Sequence, residues 1–170
     1  QMDIDLEEAR ALIKKYHNRV PFVKGLMNGV INRLNDKASS GAIRSLMGRK
    51  CRFDTWEPTS FAMHKALPYR EAVKEYGDTT ALKRAYTYKA LNRLIQASAA
   101  DMTKKAMVDI YKSGRTPLIQ IHDEMAMSVK DGADAREVRD IMVNALPLEI
   151  PNKCDIDLGP SWGEAKELKD

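Results

Sequence analysis

From Thr80 to Ser113 the chain contains neither proline nor glycine, and no other stretch constrains the fold as much. A run of that length without a breaker is long for an ordinary globular helix, and Gly114 offers a natural stop. Leu91, Ile95, Met102, Ala106 and Ile110 fall at helical spacing and predict a buried stripe along it. On a neighbouring face Asn92 and Gln96 stand one turn apart, followed by the small Ala99 and Ala100. Two amides beside small residues leave room for a bulky partner, although a tight helix–sheet contact would use the same pattern.

Beyond this helix the hydrophobic period changes. After Thr116-Pro117, Leu118–His122 and then Met125, Met127 and Val129 alternate with a repeat of two, predicting strand–turn–strand. The turn holds His122, Asp123 and Glu124 side by side. Burying two carboxylates costs too much unless a cation or hydrogen-bond donors compensate. The tip is therefore either a solvated surface turn or a seat for something cationic. Hard divalent ions such as magnesium or manganese favour oxygen ligands and often take only one or two protein carboxylates.

Upstream, Asp5 and Glu8 form a capping-box pattern that opens a helix with Leu6, Ala9, Leu12, Ile13 and Tyr16 on one face. Val20-Pro21 breaks it. A second helix is predicted from Val23, Leu26, Met27, Val30, Ile31 and Leu34. Residues 39–53 read as a β-hairpin turning near Gly48 and carrying Arg44, Arg49, Lys50 and Arg52. Cations on an exposed strand guard it against pairing; the same cations also suit phosphate contacts, and the residues leave both readings open. Residues 54–79, with Pro58, Pro68 and Gly77, read as a loop-rich insertion without chemistry of its own. Near the C-terminus Asp134 is expected to cap a short helix bearing Val138, Ile141 and Met142. Cys154, Ile156 and Leu158 then predict an edge strand. Helices and hairpins alternate without a βαβ rhythm, so the class is α+β, with long helices on a small antiparallel sheet.

The bulk numbers permit this. With 170 residues, 44% hydrophobic and 31% charged, the chain suits one domain or two small subdomains. No apolar run is long enough to span a membrane. A net charge of +4 allows a nucleic-acid partner without requiring one. Cys51 and Cys154 lie far apart without zinc-ligand spacing, so reduced thiols in a cytoplasmic protein are expected.

Four segments taken together resemble the C-terminal part of family A DNA polymerases. LIQIHDEMAMSV, residues 118–129, looks like motif C, and YKALNRLIQASAADMTKKAM, residues 88–107, like the palm helix before it. SLMGRKCRF, residues 45–53, resembles the Gly-Arg-Arg hairpin, and DIDLGPSWGEAKEL, residues 155–168, the C-terminal strand and its Trp-x-x-Ala-Lys ending. Their order and spacing agree, and the Tyr-Lys-Ala-Leu-Asn run leans towards phage-type members.

The resemblance implies a DNA-directed DNA polymerase, a nucleotidyltransferase that extends a primer 3′-hydroxyl by two-metal catalysis. Asp123, with Glu124 in support, would bind magnesium, or manganese in its place. His122 would sit near the primer terminus, and Asn92 and Gln96 would face the minor groove of newly formed pairs. Arg49 and Lys50 of the hairpin would be structural or contact the DNA backbone, and Tyr88 would belong to the primer-terminus contacts. Residues 1–80 would be the tail of the fingers and 81–170 the palm. The partners would be primer–template DNA, deoxynucleoside triphosphates and the remaining, N-terminal polymerase portion, with no membrane involved.

The chain departs from the family pattern at Gln96-Ala97, where many relatives have Gln-Gly, and at Tyr88, where cellular enzymes often have arginine. The motif A aspartate and the nucleotide-gripping fingers helix do not occur in it, and no 5′-nuclease or proofreading domain fits. Alone, as a truncated piece or one half of a split enzyme, it is expected not to polymerise. Two rivals remain: a non-catalytic DNA-binding module derived from a polymerase palm, and a small metal-dependent nuclease using Asp123, Glu124 and Asp101.

Overall fold

The computed structural model describes residues 4–36, 38–60 and 62–169. The chain divides into two compact units, residues up to 95 and residues from 96 on. The division falls within a helix.

In the first unit, α1 (Leu6–Arg19) starts at the expected capping box. The Asp5 carboxylate accepts from the Glu8 amide at 2.8 Å, and Glu8 accepts from the Asp5 amide at 3.4 Å. Pro21, at the first turn of α2 (Pro21–Asn35), ends one helix and begins the next, because there its missing N–H costs nothing. The expected hairpin is β1 (Ala42–Arg44) and β2 (Lys50–Arg52), with Ile43 opposite Cys51. Its turn is closed by the Gly48 amide on the Ser45 carbonyl at 2.9 Å and the Ser45 amide on the Arg49 carbonyl at 3.0 Å. Gly48, at φ 81°, supplies the left-handed backbone such a turn needs. Leu34, Ile43, Phe53 and Ala90 form the buried core, with Val30, Cys51 and Leu94 packed against it.

The described residues of 54–79 hold more regular structure than the sequence suggests. β3 (Thr55–Pro58) pairs with β4 (Leu67–Pro68) on one side and β5 (Leu82–Arg84) on the other, and α3 (Tyr69–Tyr76) comes directly after β4. Pro58 sits at a strand end and Pro68 on an outer strand, the two places where a missing donor is tolerated. A 3-10 turn over Thr87–Lys89 then leads into α4 (Ala90–Lys112). The long helix thus starts at Ala90 rather than near Thr80. β5 and a left-handed Tyr86, at φ 60°, use the preceding residues.

The buried positions of α4 also differ from the predicted stripe. Ala106 and Ile110 are buried as expected, but Ile95 is 58% exposed, and Asp101 and Thr103 are buried. In the second unit, β6 (Ile119–Ile121) and β7 (Glu124–Ala126) make the predicted hairpin. The cap of α5 (Gly132–Val143) is Asp131, not Asp134. Asp131 accepts from the Asp134 amide at 2.9 Å. Asp134 instead accepts from the Lys130 amide at 2.9 Å and from Arg115 Nε at 2.7 Å, and Arg115 also reaches Glu137. A charge-assisted contact with a guanidinium outweighs a capping role for that side chain. The C-terminal strand is short: β8 (Asp157–Leu158) pairs with β9 (Lys166–Glu167), a partner that alternation alone did not reveal. The α+β class holds, but among the described residues the strands form four separate small antiparallel sheets rather than one.

Candidate functional site

The hairpin tip is built by a two-residue loop. Ile121 pairs with Glu124, so His122 and Asp123 are the loop residues. Loops this short require positive φ at one or both central positions, where glycine or asparagine is usual. His122 meets the requirement at φ 53°, a conformation that costs a bulky residue about 1–2 kcal/mol. The Gln120 side-chain amide donates to the His122 carbonyl and holds the loop from beneath.

Strand alternation sets where the carboxylates go. Glu124 lies on the same face as its cross-strand neighbour Ile121 and as Ile119, while Gln120 and Met125 share the other face. His122, Asp123 and Glu124 are all exposed. Among the described residues neither the Asp123 nor the Glu124 carboxylate makes a hydrogen bond or ion pair. Adjacent unneutralised carboxylates at a braced hairpin tip are donors of the kind a hard cation takes. They do not make a complete cage: among the described residues no three His, Cys, Asp or Glu side chains cluster to hold a metal. The donor set therefore fits magnesium or manganese shared with water and phosphate oxygens. β6 pairs only with β7 among the described residues, and Ile119 and Ile121 are 48% and 42% exposed on it.

On α4, Asn92 and Gln96 are both exposed, one turn apart, with Ala99 exposed and Ala100 half-buried beyond them. Asp101 lies further along α4, 6% exposed, and is not part of an acidic cluster with the hairpin tip among the described residues.

Of the basic hairpin residues, Arg49 and Lys50 are exposed, as is Arg52. Arg44 folds back on its own turn, donating to the Gly48 carbonyl at 2.8 Å. Its role there is to close the hairpin. Tyr88 is 64% exposed, with Lys89 Nζ 5.5 Å from its ring centroid.

Sequence reasoning missed two residues that shape these surfaces. Gln120 braces the acidic loop, and Tyr86 enters α4 in the left-handed region; the one signal for either was a polar residue inside an apolar strand. It also missed Arg84, whose three carbonyl contacts come from segments far away in the chain.

Comparison with known proteins shows the family. Residues 1–164 match DNA polymerase family A. The chain is 36% identical over 158 residues to a DNA-directed DNA polymerase of Pseudomonas phage M6, covering 93% of this chain and 20% of that protein. It is 28% identical over 174 residues to the thermostable DNA polymerase I of Thermus filiformis, covering 98% of this chain and 18% of the relative. The chain thus spans about a fifth of the length of these relatives. Among solved structures it resembles the POL domain of Pol1 from M. smegmatis, in complex with DNA primer-template and dNTP. That match has a TM-score of 0.69 at 29% identity, over 97% of this chain and 27% of the other. The ordered motifs, the acidic hairpin and the match along nearly the whole chain agree: this chain belongs to DNA polymerase family A.

Proposed function

We propose that the chain supplies the motif C half of a DNA polymerase active site, together with part of the surface that holds primer–template DNA. The reaction is template-directed transfer of a nucleotidyl group from a deoxynucleoside triphosphate to a primer 3′-hydroxyl. The observation that carries the reading is the braced hairpin tip presenting Asp123 of the loop and Glu124 of the adjoining strand to solvent, with no partner among the described residues. A magnesium or manganese ion held there would clamp the attacking and leaving oxygens, which is what such ions supply in nucleotidyl transfer.

This chain's own residues then divide the remaining work. Asp123 and Glu124 would hold the cation. His122, fixed in its loop, is placed to donate to the primer terminus. Asn92 and Gln96 offer amide donors to minor-groove acceptors, which every correct base pair presents, so they test pairing without reading sequence. Arg49, Lys50 and Tyr88 contact the DNA backbone. Residues 1–80 act as fingers tail and 81–170 as palm. A second carboxylate must come from outside these 170 residues, and the β6 edge, with Ile119 and Ile121 exposed, suits the strand that would bring it. Such an enzyme works where its DNA is, in the cytoplasm of a bacterial cell.

The test uses manganese as probe. Paramagnetic broadening of amide signals should centre on residues 122–124 and be weakened at least tenfold by Asp123→Asn. Primer extension should be absent from this chain alone and appear when the remaining polymerase portion is added. Broadening that ignores the substitution, or extension that survives it, would sink the proposal. A purely DNA-binding role has one observation in its favour: Arg49, Lys50, Tyr88 and Asn92 all belong to the first unit, and Asp123 does not. That role requires primed-DNA binding to persist in Asp123→Ala while no added portion restores extension.

A further inference from the structure

From Ala9 to Asn35 the chain has no aspartate or glutamate, while Arg10, Lys14, Lys15, Arg19, Lys24 and Arg33 fall within it. The first acid beyond, Asp36, is taken up by the Ala38 amide at 2.7 Å. The stretch forms α1 and α2, which pack on each other. All six cations are exposed, and none forms an ion pair among the described residues.

Solvated cations alone mark no site, but apolar side chains are exposed beside them. No residue of α1 is buried, and Leu12, Ile13 and Tyr16 are exposed on it. On α2, Val30 and Leu34 serve the core. Phe22 and Leu26 fall outside that stripe and are 70% and 50% exposed. Steps of three and four residues put Gly25 and Gly29 in the same row, with Arg33 at its end. A Cβ at either glycine meets nothing within 4 Å, and neither has positive φ. The chain's own packing and backbone therefore do not call for glycine there, although glycine weakens a helix interior. Close approach of another molecule is the use that remains for such a notch.

DNA phosphates would satisfy the cations and leave the apolar side chains without a partner. A fluid lipid surface would take both and has no use for a notch. A protein helix uses all three features, in the manner of a helix laid along an apolar face. We propose that α2, along Phe22, Leu26 and the Gly25–Gly29 notch, docks an amphipathic helix of another protein in which aspartate or glutamate flanks the apolar anchors. Its apolar side chains cover Phe22 and Leu26, its backbone comes close at the glycines, and its carboxylates meet Arg33, drawn in by the acid-free surroundings. None of these residues is assigned to DNA or to the cation, so the dock is independent of the polymerase reading.

The probe is a labelled helical peptide of about 18 residues, with leucine at every third or fourth position and glutamate between. Fluorescence anisotropy with the full chain, at about 0.15 M salt, should show binding about tenfold tighter than for the same peptide with lysine for glutamate or serine for leucine. Leu26→Glu and Gly29→Leu should each weaken binding by about tenfold. Gly29→Leu puts its side chain in open space and favours the helix, so a loss of binding there does not come from unfolding. No binding at about 1 mM peptide, equal affinity for the lysine peptide, or binding that both substitutions leave intact overturns the dock. Three other occupants are read in parallel, and each overturns it as well. A dimer of the chain that Gly29→Leu dissociates in sedimentation assigns the face to a second copy. Displacement of the peptide by the remaining polymerase portion assigns it to the interior of the polymerase. Phosphatidylglycerol vesicles or duplex DNA that compete the peptide away, and lose their own binding in Leu26→Glu, assign it to lipid or nucleic acid.

Discussion

The guanidinium of Arg84 stacks on the indole of Trp56, 4.5 Å from its centroid. From that position it donates to the carbonyls of Leu34 at 3.0 Å, Phe53 at 2.9 Å and Ser39 at 3.2 Å. One side chain on β5 thereby ties together the end of α2, the loop before β1 and the end of the hairpin. Arg84→Ala leaves these carbonyls without that donor and should cost about 3 kcal/mol, since unsatisfied buried acceptors cost about 1–3 kcal/mol each and are not additive. Arg84→Lys should recover less than half, because a single ammonium cannot reproduce a planar fork. Urea unfolding measures both; a loss below about 1 kcal/mol for alanine, the size of a single ordinary hydrogen bond, would show that the node is not structural.

Gly41 and Gly48 offer a paired comparison. Both have positive φ, 69° and 81°, so alanine at either costs about 1–2 kcal/mol in backbone strain. A Cβ at Gly48 meets nothing within 4 Å, whereas one at Gly41 would fall 2.3 Å from Arg84 Cζ. Gly41→Ala should therefore destabilise clearly more than Gly48→Ala, and the difference should shrink when Arg84 is already alanine. A double-mutant cycle reads the coupling. Equal costs would mean that the guanidinium moves aside freely.

In the second unit, hydrogen bonding from the Lys130 amide, and then from Arg115, holds the Asp134 carboxyl below its ordinary value of 3.8. A depressed folded-state pKa contributes stability that is fully present above the unfolded value and is lost as pH falls through the folded one. Asp134→Asn should thus lower stability at neutral pH and flatten its fall below about pH 4, near the unfolded carboxyl value. Urea midpoints measured from acid to neutral pH test this. An unchanged acid slope would remove Asp134 from the account.

His122 trades stability for position. Replacing it with glycine removes the left-handed strain at φ 53° and should raise stability by up to about 1 kcal/mol, the gain offset in part by greater freedom of the unfolded chain. In a reconstituted polymerase the same change should slow primer extension by about a hundredfold, the lower end of what a positioned hydrogen-bond donor contributes. A variant less stable than the parent by more than about 1 kcal/mol would show that the imidazole has packing contacts that outweigh the strain.

Much of the candidate site was legible because it depends on neighbours in the chain. A two-residue loop between alternating runs places Asp123 and Glu124 together whatever the rest of the protein does. The one-turn spacing of Asn92 and Gln96 comes from helical period alone. Residues 54–79 were not legible in this way. β3 finds one partner in Leu67–Pro68 and another beyond α3, and no local pattern of prolines and scattered aromatics announces either pairing.

The sequence by itself determined the elements whose signals are local. The Asp5–Glu8 capping box, the Pro21 break, the turn at Gly48 and the acidic hairpin all lie where short-range sterics and hydrogen bonding put them. Only the tertiary structure decided which residues serve the interior. It exposed Ile95 and buried Asp101 on one helix, gave the α5 cap to Asp131, and brought Arg84 to three carbonyls from distant segments. The physical reason is that burial and long-range hydrogen bonds depend on which surfaces meet, and periodicity along one chain segment holds no information about its partners.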